Sequence, residues 1–227
     1  MICLIPARGG SKRIPRKNIK SFAGKPMIAW SIEAARKAGV FDRILVSTDD
    51  DEIAETARQA GAEVPFRRPA DLSDDHATTA AVIAHALDWL GAGAGDGLCC
   101  LYATAPFVRA GDIRRGAELL TDHDYAIPVT TFAFPIQRAV RILPEGGLEM
   151  FDPATYSTRS QDLEEAWHDA GQFYWGRSEA WREGRPPFGP RTAPIRLPRW
   201  RVQDIDTPED WTRAELIAQA LMSRGDL

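Results

Sequence analysis

The fold that this sequence predicts is a three-layer α/β domain on a mostly parallel, Rossmann-like sheet, with an inserted β-rich lobe. Three observations carry that expectation. Short apolar runs such as ICLI and RILVS alternate with amphipathic stretches, the βα rhythm of a doubly wound sheet. GLCCLYATAP is near-continuously apolar, the pattern of a central strand covered on both faces. Between residues 132 and 160 the rhythm breaks into QRAVRIL and GGLEMF, hairpin-like segments among Pro and Gly.

Taken in chain order, ICLI is a buried first strand that ends at Pro6 and feeds a Gly-rich turn. PMIAWSIEAARKAG sets Met27, Trp30, Ile32, Ala34 and Ala38 on an apolar face and closes at Gly39, so a helix is expected there. DRILVSTDD reads as the second strand. DDEIAETARQAG reads as a helix with acids at its start, where the helix dipole favours them, and Gly61 after its end. AEVPF suggests a short strand and RRPADLSDD a loop, followed by a helix over TTAAVIAHALDWL that stops at the glycines of GAGAGDG. GLCCLYATAP is then a strand, AGDIRRGAELL a helix and DYAIPVT a strand. After the insertion the core resumes with AGQFYWG, a short helix around SEAWREG, a Pro-rich loop, an extended RWRVQDID and the closing helix TPEDWTRAELIAQALM. No repeat or low-complexity linker divides the chain. One domain over residues 1–227, with the lobe at 132–160, is expected.

Charge narrows the function classes. The 227 residues carry 28 Lys+Arg against 32 Asp+Glu, a net charge of -4, which gives no general attraction to nucleic acid or anionic membrane. The three cysteines, Cys3, Cys99 and Cys100, have no CxxC spacing, so neither a zinc site nor a disulfide framework is indicated, and reduced thiols in a cytoplasm fit best. MICLI is too short for a signal peptide, and no run reaches the roughly 20 apolar residues of a membrane span.

Against that acidic background, IPARGGSKRIPRKN is anomalous. Arg8, Lys12, Arg13, Arg16, Lys17 and Lys20 fall in a stretch that contains no acid. A Gly-rich loop directly after a first strand exposes N–H groups, here around Gly10 and Ser11, that can cradle phosphate oxygens while the cations supply charge. Neither GxGxxG nor GxxxxGK[ST] is present, so dinucleotide and P-loop readings lose support. A solvated basic turn is the plain alternative.

RVQDIDTPEDW is the second constellation. An extended Val202 to Asp206 would put Asp204 and Asp206 on one face, where two carboxylates repel unless a cation sits between them. Mg²⁺, which prefers hard oxygen ligands and is shared with phosphates, suits such a pair. Alternatively these acids decorate a helix start, with Thr207 as N-cap, Pro208 at the first position and Asp210 completing a capping box. In FRRPADLSDDHATT, Arg68 could meet a base edge, while Asp75 or the threonines could simply cap the next helix. His76 and His85 read as packing or surface residues. RSQDLEEAWHDAGQFYWG gathers Arg159, His168, Gln172 and Tyr174, groups suited to the carboxylate, hydroxyls and acetamido groups of an acidic sugar, although its aromatics could equally be core.

Together ARGGSKRIPRKN, STDDDEIAETA, RRPADLSDD, YATAPF and DIDTPEDW resemble the signatures of the CMP-nonulosonate cytidylyltransferases, which activate sialic acids and related nine-carbon acids with CTP. The resemblance runs through nearly the whole chain. It implies the fold of the nucleotide-diphospho-sugar transferase type and nucleotide contacts from Arg8, Ser11, Lys12, Lys17 and Asn18, with base contacts around Arg68, Ala77 and Thr79. It also implies Mg²⁺ held by Asp204 and Asp206, and a homodimer whose 132–160 lobe packs on the neighbouring subunit's active site. Tyr102, Gln137 and Arg138, in YATAPF and PIQRA, join the sugar-facing residues. The sialic-acid branch typically has Gln-Pro-Thr-Ser-Pro where this chain reads Tyr102, Ala103, Thr104, Ala105 and Pro106. That departure tells against N-acetylneuraminic acid, and ARGGSKRIPRKN, YATAPF, PIQRA, RSQDLEEAWHDAGQFYWG and RVQDIDTPEDW together resemble the branch whose acceptor is pseudaminic acid, with N-acetylneuraminic or legionaminic acid as the alternative. Arg8, Lys17 and Asp206 are the expected catalytic residues, and a non-catalytic nucleotide sensor is the rival of a different class.

Overall fold

The computed structural model describes residues 1–91 and 95–226, so the part of GAGAGDG at 92–94 lies outside the described residues. The strands are β1 (Ile2–Pro6), β2 (Ser21–Phe22), β3 (Lys25–Pro26), β4 (Arg43–Ser47), β5 (Gly97–Leu101), β6 (Tyr125–Thr131), β7 (Val140–Ile142), β8 (Leu148–Met150), β9 (Trp167–Asp169), β10 (Phe173–Arg177) and β11 (Thr192–Arg196). The helices are α1 (Met27–Ala38), α2 (Asp51–Gln59), α3 (Thr79–Leu90), α4 (Ala110–Leu119), α5 (Ser178–Arg182) and α6 (Pro208–Ser223).

The main sheet runs in the order β11-β6-β10-β5-β1-β4, with β9 also on β6. Strand β1 is parallel to both neighbours, Cys3 lying opposite Ile44 on β4 and Cys99 on β5. The sheet is not wholly parallel, because β10 runs antiparallel between β5 and β6. Alternation along β1 builds three layers: Cys3 and Ile5 pack with Ile28 and Ile32 of α1, Ile53 of α2 and Ile113 of α4. Ile2 and Leu4 pack on the opposite face with Ile83 and Leu87 of α3. Trp175, fully buried on β10, donates from its indole to the Ile113 carbonyl at 2.9 Å and lies so close to α4 that a Cβ on Gly116 would come within 2.2 Å of it.

Two expectations about strands are corrected. AEVPF forms no strand; it touches the sheet through a single bridge, Leu45 to Glu63, and a second bridge, Thr48 to Arg67, falls just past its end. RWRVQDID is not a strand either, since Arg199–Arg201 is a 3₁₀ turn and residues 202–206 have no sheet partner. The strand instead lies in the Pro-rich stretch, as β11. Pro194 cannot donate to a ladder, but β11 is the edge of the sheet and pairs only with β6, so the missing N–H is tolerated. The closing helix starts as expected: Thr207 accepts from Asp210 N–H, Asp210 reaches back to Thr207 N–H, and Pro208 opens the first turn. The inserted segment is the β7–β8 hairpin with 3₁₀ turns around it. Among the described residues no helix is long and apolar enough to cross a membrane.

Candidate active site

Strands β1, β4 and β5 end at one edge of the sheet, where ligands bind in open α/β folds. The basic loop after β1 is braced there by the acids after β4. Asp49 accepts the Gly9 N–H at 2.9 Å, and a Cβ on Gly9 would lie 2.9 Å from the Asp50 carboxylate, so glycine is needed for the close approach. Arg16 sits at φ 57 and turns its guanidinium onto both oxygens of Asp50 and onto Glu52. Asp50 simultaneously caps α2, accepting Glu52 N–H at 3.0 Å and Ile53 N–H at 2.9 Å. The Arg16 hydrogen bonds, set against partial burial, hold the Asp50 carboxyl below its ordinary range. Inside the loop, Asn18 donates to the Arg8 carbonyl at 3.0 Å.

The loop's remaining cations face a cavity of about 390 Å³. Arg8, Ser11, Lys12, Arg13, Lys17 and Asn18 line it, with Tyr102 and Asp206 opposite. Every cation in this bowl already holds an acid. Arg8 meets Asp75 at 3.0 Å and the Asp74 carbonyl, and Lys12 meets the other oxygen of Asp75. Lys17 donates to the Ile205 carbonyl at 2.6 Å and to Asp206 Oδ1 at 3.0 Å, while Arg13 holds Asp206 Oδ2 at 2.8 Å. Burial works to raise the Asp206 carboxyl, but Lys17 and then Arg13 outweigh it and the net direction is down.

Asp204 differs. It is exposed to solvent, yet partial desolvation by the surrounding walls and then the charge of Asp206 push its carboxyl up, against the pull of Lys17. Among the described residues it makes no ion pair. It faces a second cavity of about 820 Å³, beside His168, Asp169, Arg199, Trp200 and Arg213.

The remaining expected residues are dispersed. Gly10 sits on the exposed rim of the loop. Arg68 is buried beneath the bowl, donating to the Ser47 and Leu72 carbonyls with its Nε unpartnered, and burial lowers its pKa. Ala77 gives its N–H to Asp74 at 2.8 Å, and Thr79 opens α3 beside Tyr102. Of the sugar-facing candidates, His168 is in the second cavity, with its ring against Phe132. Gln172 is not: it is 2 % exposed and donates inward to the Arg201 carbonyl at 2.7 Å. Tyr174 stands behind Tyr102 and lines neither cavity. Gln137, Arg138 and Arg159 sit on the lobe and are tied to Glu164, Thr158 and Asp162, away from both cavities of their own chain. Sequence reasoning passed over Arg13 as a partner of Asp206, Asp75 as the counter-ion of the loop, and Arg199 and Arg213; a basic residue three positions after the capping box was the available signal for the last.

A cationic bowl at the carboxyl ends of parallel strands, closed by a carboxylate from the far end of the chain, defines a class: an α/β nucleotidyltransferase. A family model described as Cytidylyltransferase matches residues 2–174, and with the relatives below it shows that the chain belongs to the cytidylyltransferase family. The chain is 46% identical over 220 residues to a pseudaminic acid cytidylyltransferase of Campylobacter jejuni, with 95% of each covered. It is 32% identical over 235 residues to a CMP-N,N'-diacetyllegionaminic acid synthase of Legionella pneumophila, with 96% of each covered. Among solved structures it superposes on a CMP:2-keto-3-deoxy-manno-octonic acid synthetase complexed with CTP, with a TM-score of 0.70 over 99% of this chain and 98% of that one, at 19% identity.

Proposed function

We infer that this protein transfers CMP from CTP to the anomeric hydroxyl of pseudaminic acid, giving CMP-pseudaminic acid and pyrophosphate. The observation that carries the reaction class is the bowl itself: four cations, Arg8, Lys12, Arg13 and Lys17, converge on one cavity whose Asp206 wall adjoins a second polar cavity. The acceptor rests on the 46% relative, against 32% for the legionaminic acid relative.

In this reading the anomeric oxygen attacks the α-phosphorus, a new P–O bond forms, the α–β P–O bond breaks, and the hydroxyl proton passes to solvent or a carboxylate. Catalysis is then mainly positioning and charge stabilisation. Arg8 and Lys12 exchange Asp75 for phosphate oxygens, the Gly10–Ser11 backbone offers N–H groups, and Lys17 stays anchored by the Ile205 carbonyl while it faces the triphosphate. Ala77 and Thr79 form the base side, and Arg68, expected there too, braces it from beneath through the Ser47 and Leu72 carbonyls. A magnesium ion suits Asp204, a hard oxygen donor with no ion pair among the described residues and near enough to Asp206 to feel its charge, while Asp206 would turn to the ion from Lys17 and Arg13. Asp204 and Asp206 would hold it, and when bound it supplies charge neutralisation of the phosphates and the pyrophosphate leaving group.

The lobe supports a homodimer. Phe134, Ile142, Leu148 and Tyr156 are 82%, 78%, 71% and 79% exposed, a concentration of apolar surface that a second copy would cover. Such packing would bring Gln137, Arg138 and Arg159 to the neighbour's sugar cavity. Three buried free thiols, Cys3, Cys99 and Cys100, agree with a cytoplasmic enzyme.

The test is pyrophosphate release from CTP, UTP, ATP or GTP with Mg²⁺ and a panel of nonulosonic acids. Fastest turnover with CTP and pseudaminic acid is expected. Preference for N-acetylneuraminic or legionaminic acid overturns the acceptor, and CTP binding without pyrophosphate release with any acid overturns the enzyme in favour of a sensor.

A further inference from the structure

Pseudaminic acid brings a negative charge into a cavity that is already acidic. In a cyclic 2-keto acid the carboxylate is bonded to the anomeric carbon itself, so it cannot move away from the hydroxyl that attacks the phosphorus. Phosphates then lie on one side of it, and on the other are Asp169, Asp204 and Asp210, all in the wall of the 820 Å³ cavity. Between low-dielectric walls that repulsion needs a cation.

The same wall carries Arg199 and Arg213, and among the described residues neither makes an ion pair. Different elements hold them. Arg199 opens the 3₁₀ turn and donates to the Phe132 carbonyl at 3.2 Å, where β6 leads into the lobe, and it also lines a smaller cavity there with Phe134 and Ala166. Arg213 is on α6, one turn beyond Asp210, and side chains three apart on a helix are neighbours. Asp210 in turn accepts Asp206 N–H at 3.1 Å and Thr207 N–H at 2.8 Å, which fixes the start of α6 to the segment bearing Asp204 and Asp206. Arg213 is therefore the cation on the reacting side. Its side chain is exposed and bonded to no other described residue, so all its donors are available.

The other cations within reach are engaged. Lys17 and Arg13 hold Asp206, while Arg8 and Lys12 hold Asp75 in the bowl. On the lobe, which a second copy would bring to this cavity, Arg159 holds Asp162 at 2.7 Å and Arg138 donates to the Thr158 carbonyl.

We propose that Arg213 binds the carboxylate of the acceptor acid, selecting a 2-keto acid over an uncharged sugar and turning its anomeric hydroxyl toward the α-phosphorus. A guanidinium suits this task because its planar fork matches a carboxylate with two parallel hydrogen bonds. The proposal deepens the transferase reading of the two cavities and rests on it.

The experiment compares kcat/KM for pseudaminic acid with that for its C1 methyl ester, by pyrophosphate release at saturating CTP and Mg²⁺. Esterification removes the charge and keeps the anomeric centre. The wild type is expected to prefer the acid about tenfold or more, as for a hydrogen bond to a charged group. Arg213→Gln should lose most of that preference, its loss on the acid exceeding its loss on the ester. Arg213→Lys should restore only part, since an ammonium forms no fork. Circular dichroism confirms that both variants fold, and KM for CTP is read with each. A rise in that KM matching the loss on the acid shows a displaced α6 and overturns the proposal. So does a wild type without preference, a preference retained in Arg213→Gln, or one abolished instead by Arg199→Gln, Arg138→Gln or Arg159→Gln. If another nonulosonic acid turns over faster, that acid and its ester are compared, and only the choice of acceptor falls. No release with any acid overturns the transferase reading, whereas release with an undiminished preference in Arg213→Gln overturns the role of Arg213 alone.

Discussion

Lys17→Met is the most direct test of the bowl. The Lys17 side chain is 17% exposed and holds two acceptors that lie far away in sequence, the Ile205 carbonyl at 2.6 Å and Asp206 Oδ1 at 3.0 Å. Methionine keeps the length of the stem and removes the charge. A hydrogen bond to a charged group contributes about 1.5–3 kcal/mol when well shielded. Asp206 keeps Arg13 at 2.8 Å, so the stability loss should sit near the lower end of that range. A domain with an unfolding free energy of roughly 5–15 kcal/mol survives this. The catalytic loss is larger, since removing one donor from developing charge costs about 2.7–4 kcal/mol, a fall of roughly 10²–10³ in kcat. Continuous pyrophosphate release at saturating CTP and acid reads it, with circular dichroism and a melting curve confirming the fold. A folded Lys17→Met enzyme retaining more than about a tenth of wild-type kcat would refute the role. Lys17→Arg should recover only part of the loss, because a planar guanidinium cannot replace a compact ammonium against the same carbonyl.

Three further outcomes are expected. Asp75→Asn removes the carboxylate that occupies Arg8 and Lys12, so KM for CTP should fall, most visibly at low ionic strength, and titrating initial rates against CTP at two salt concentrations measures it. Ile142→Glu with Leu148→Glu puts charge on the exposed hairpin and should convert a dimer to monomers by light scattering, while the melting temperature of the core changes little. Because Arg16 holds Asp50 below its ordinary range, the stability from that pair is present above the usual carboxylate pKa of about 3.9 and is lost as pH falls through the lowered value; Arg16→Gln should move the acid-unfolding midpoint to higher pH, followed by ellipticity against pH.

Much of the bowl was legible in sequence because its signal is local. Six cations without an acid, directly after an apolar strand, stand out in a chain of net charge -4. What neutralises them was not legible: Asp75 lies 63 positions from Lys12 and reads locally as part of a helix cap. Gln172 shows a different limit. A polar side chain beside a strand can point to a cavity or to a buried carbonyl, and here Arg201, 29 positions on, takes it inward. Proline 194 hid β11 because a sequence does not say which strand is an edge. RVQDID, by contrast, has the alternation of a strand but no neighbour to pair with, so Asp204 and Asp206 face two cavities instead of one.

Lys17 and Asp206 are separated by 189 positions, yet each is part of the other's environment. Closing so long a loop costs little more entropy than closing one half its length, but it can happen only after the intervening sheet exists. During synthesis the basic loop therefore spends most of its time without its carboxylate partner. A nascent chain arrested in the inserted lobe already possesses every cation of the bowl and neither Asp204 nor Asp206. The carboxylate wall of the bowl is therefore added last, when the segment before the closing helix docks on Lys17 and Arg13.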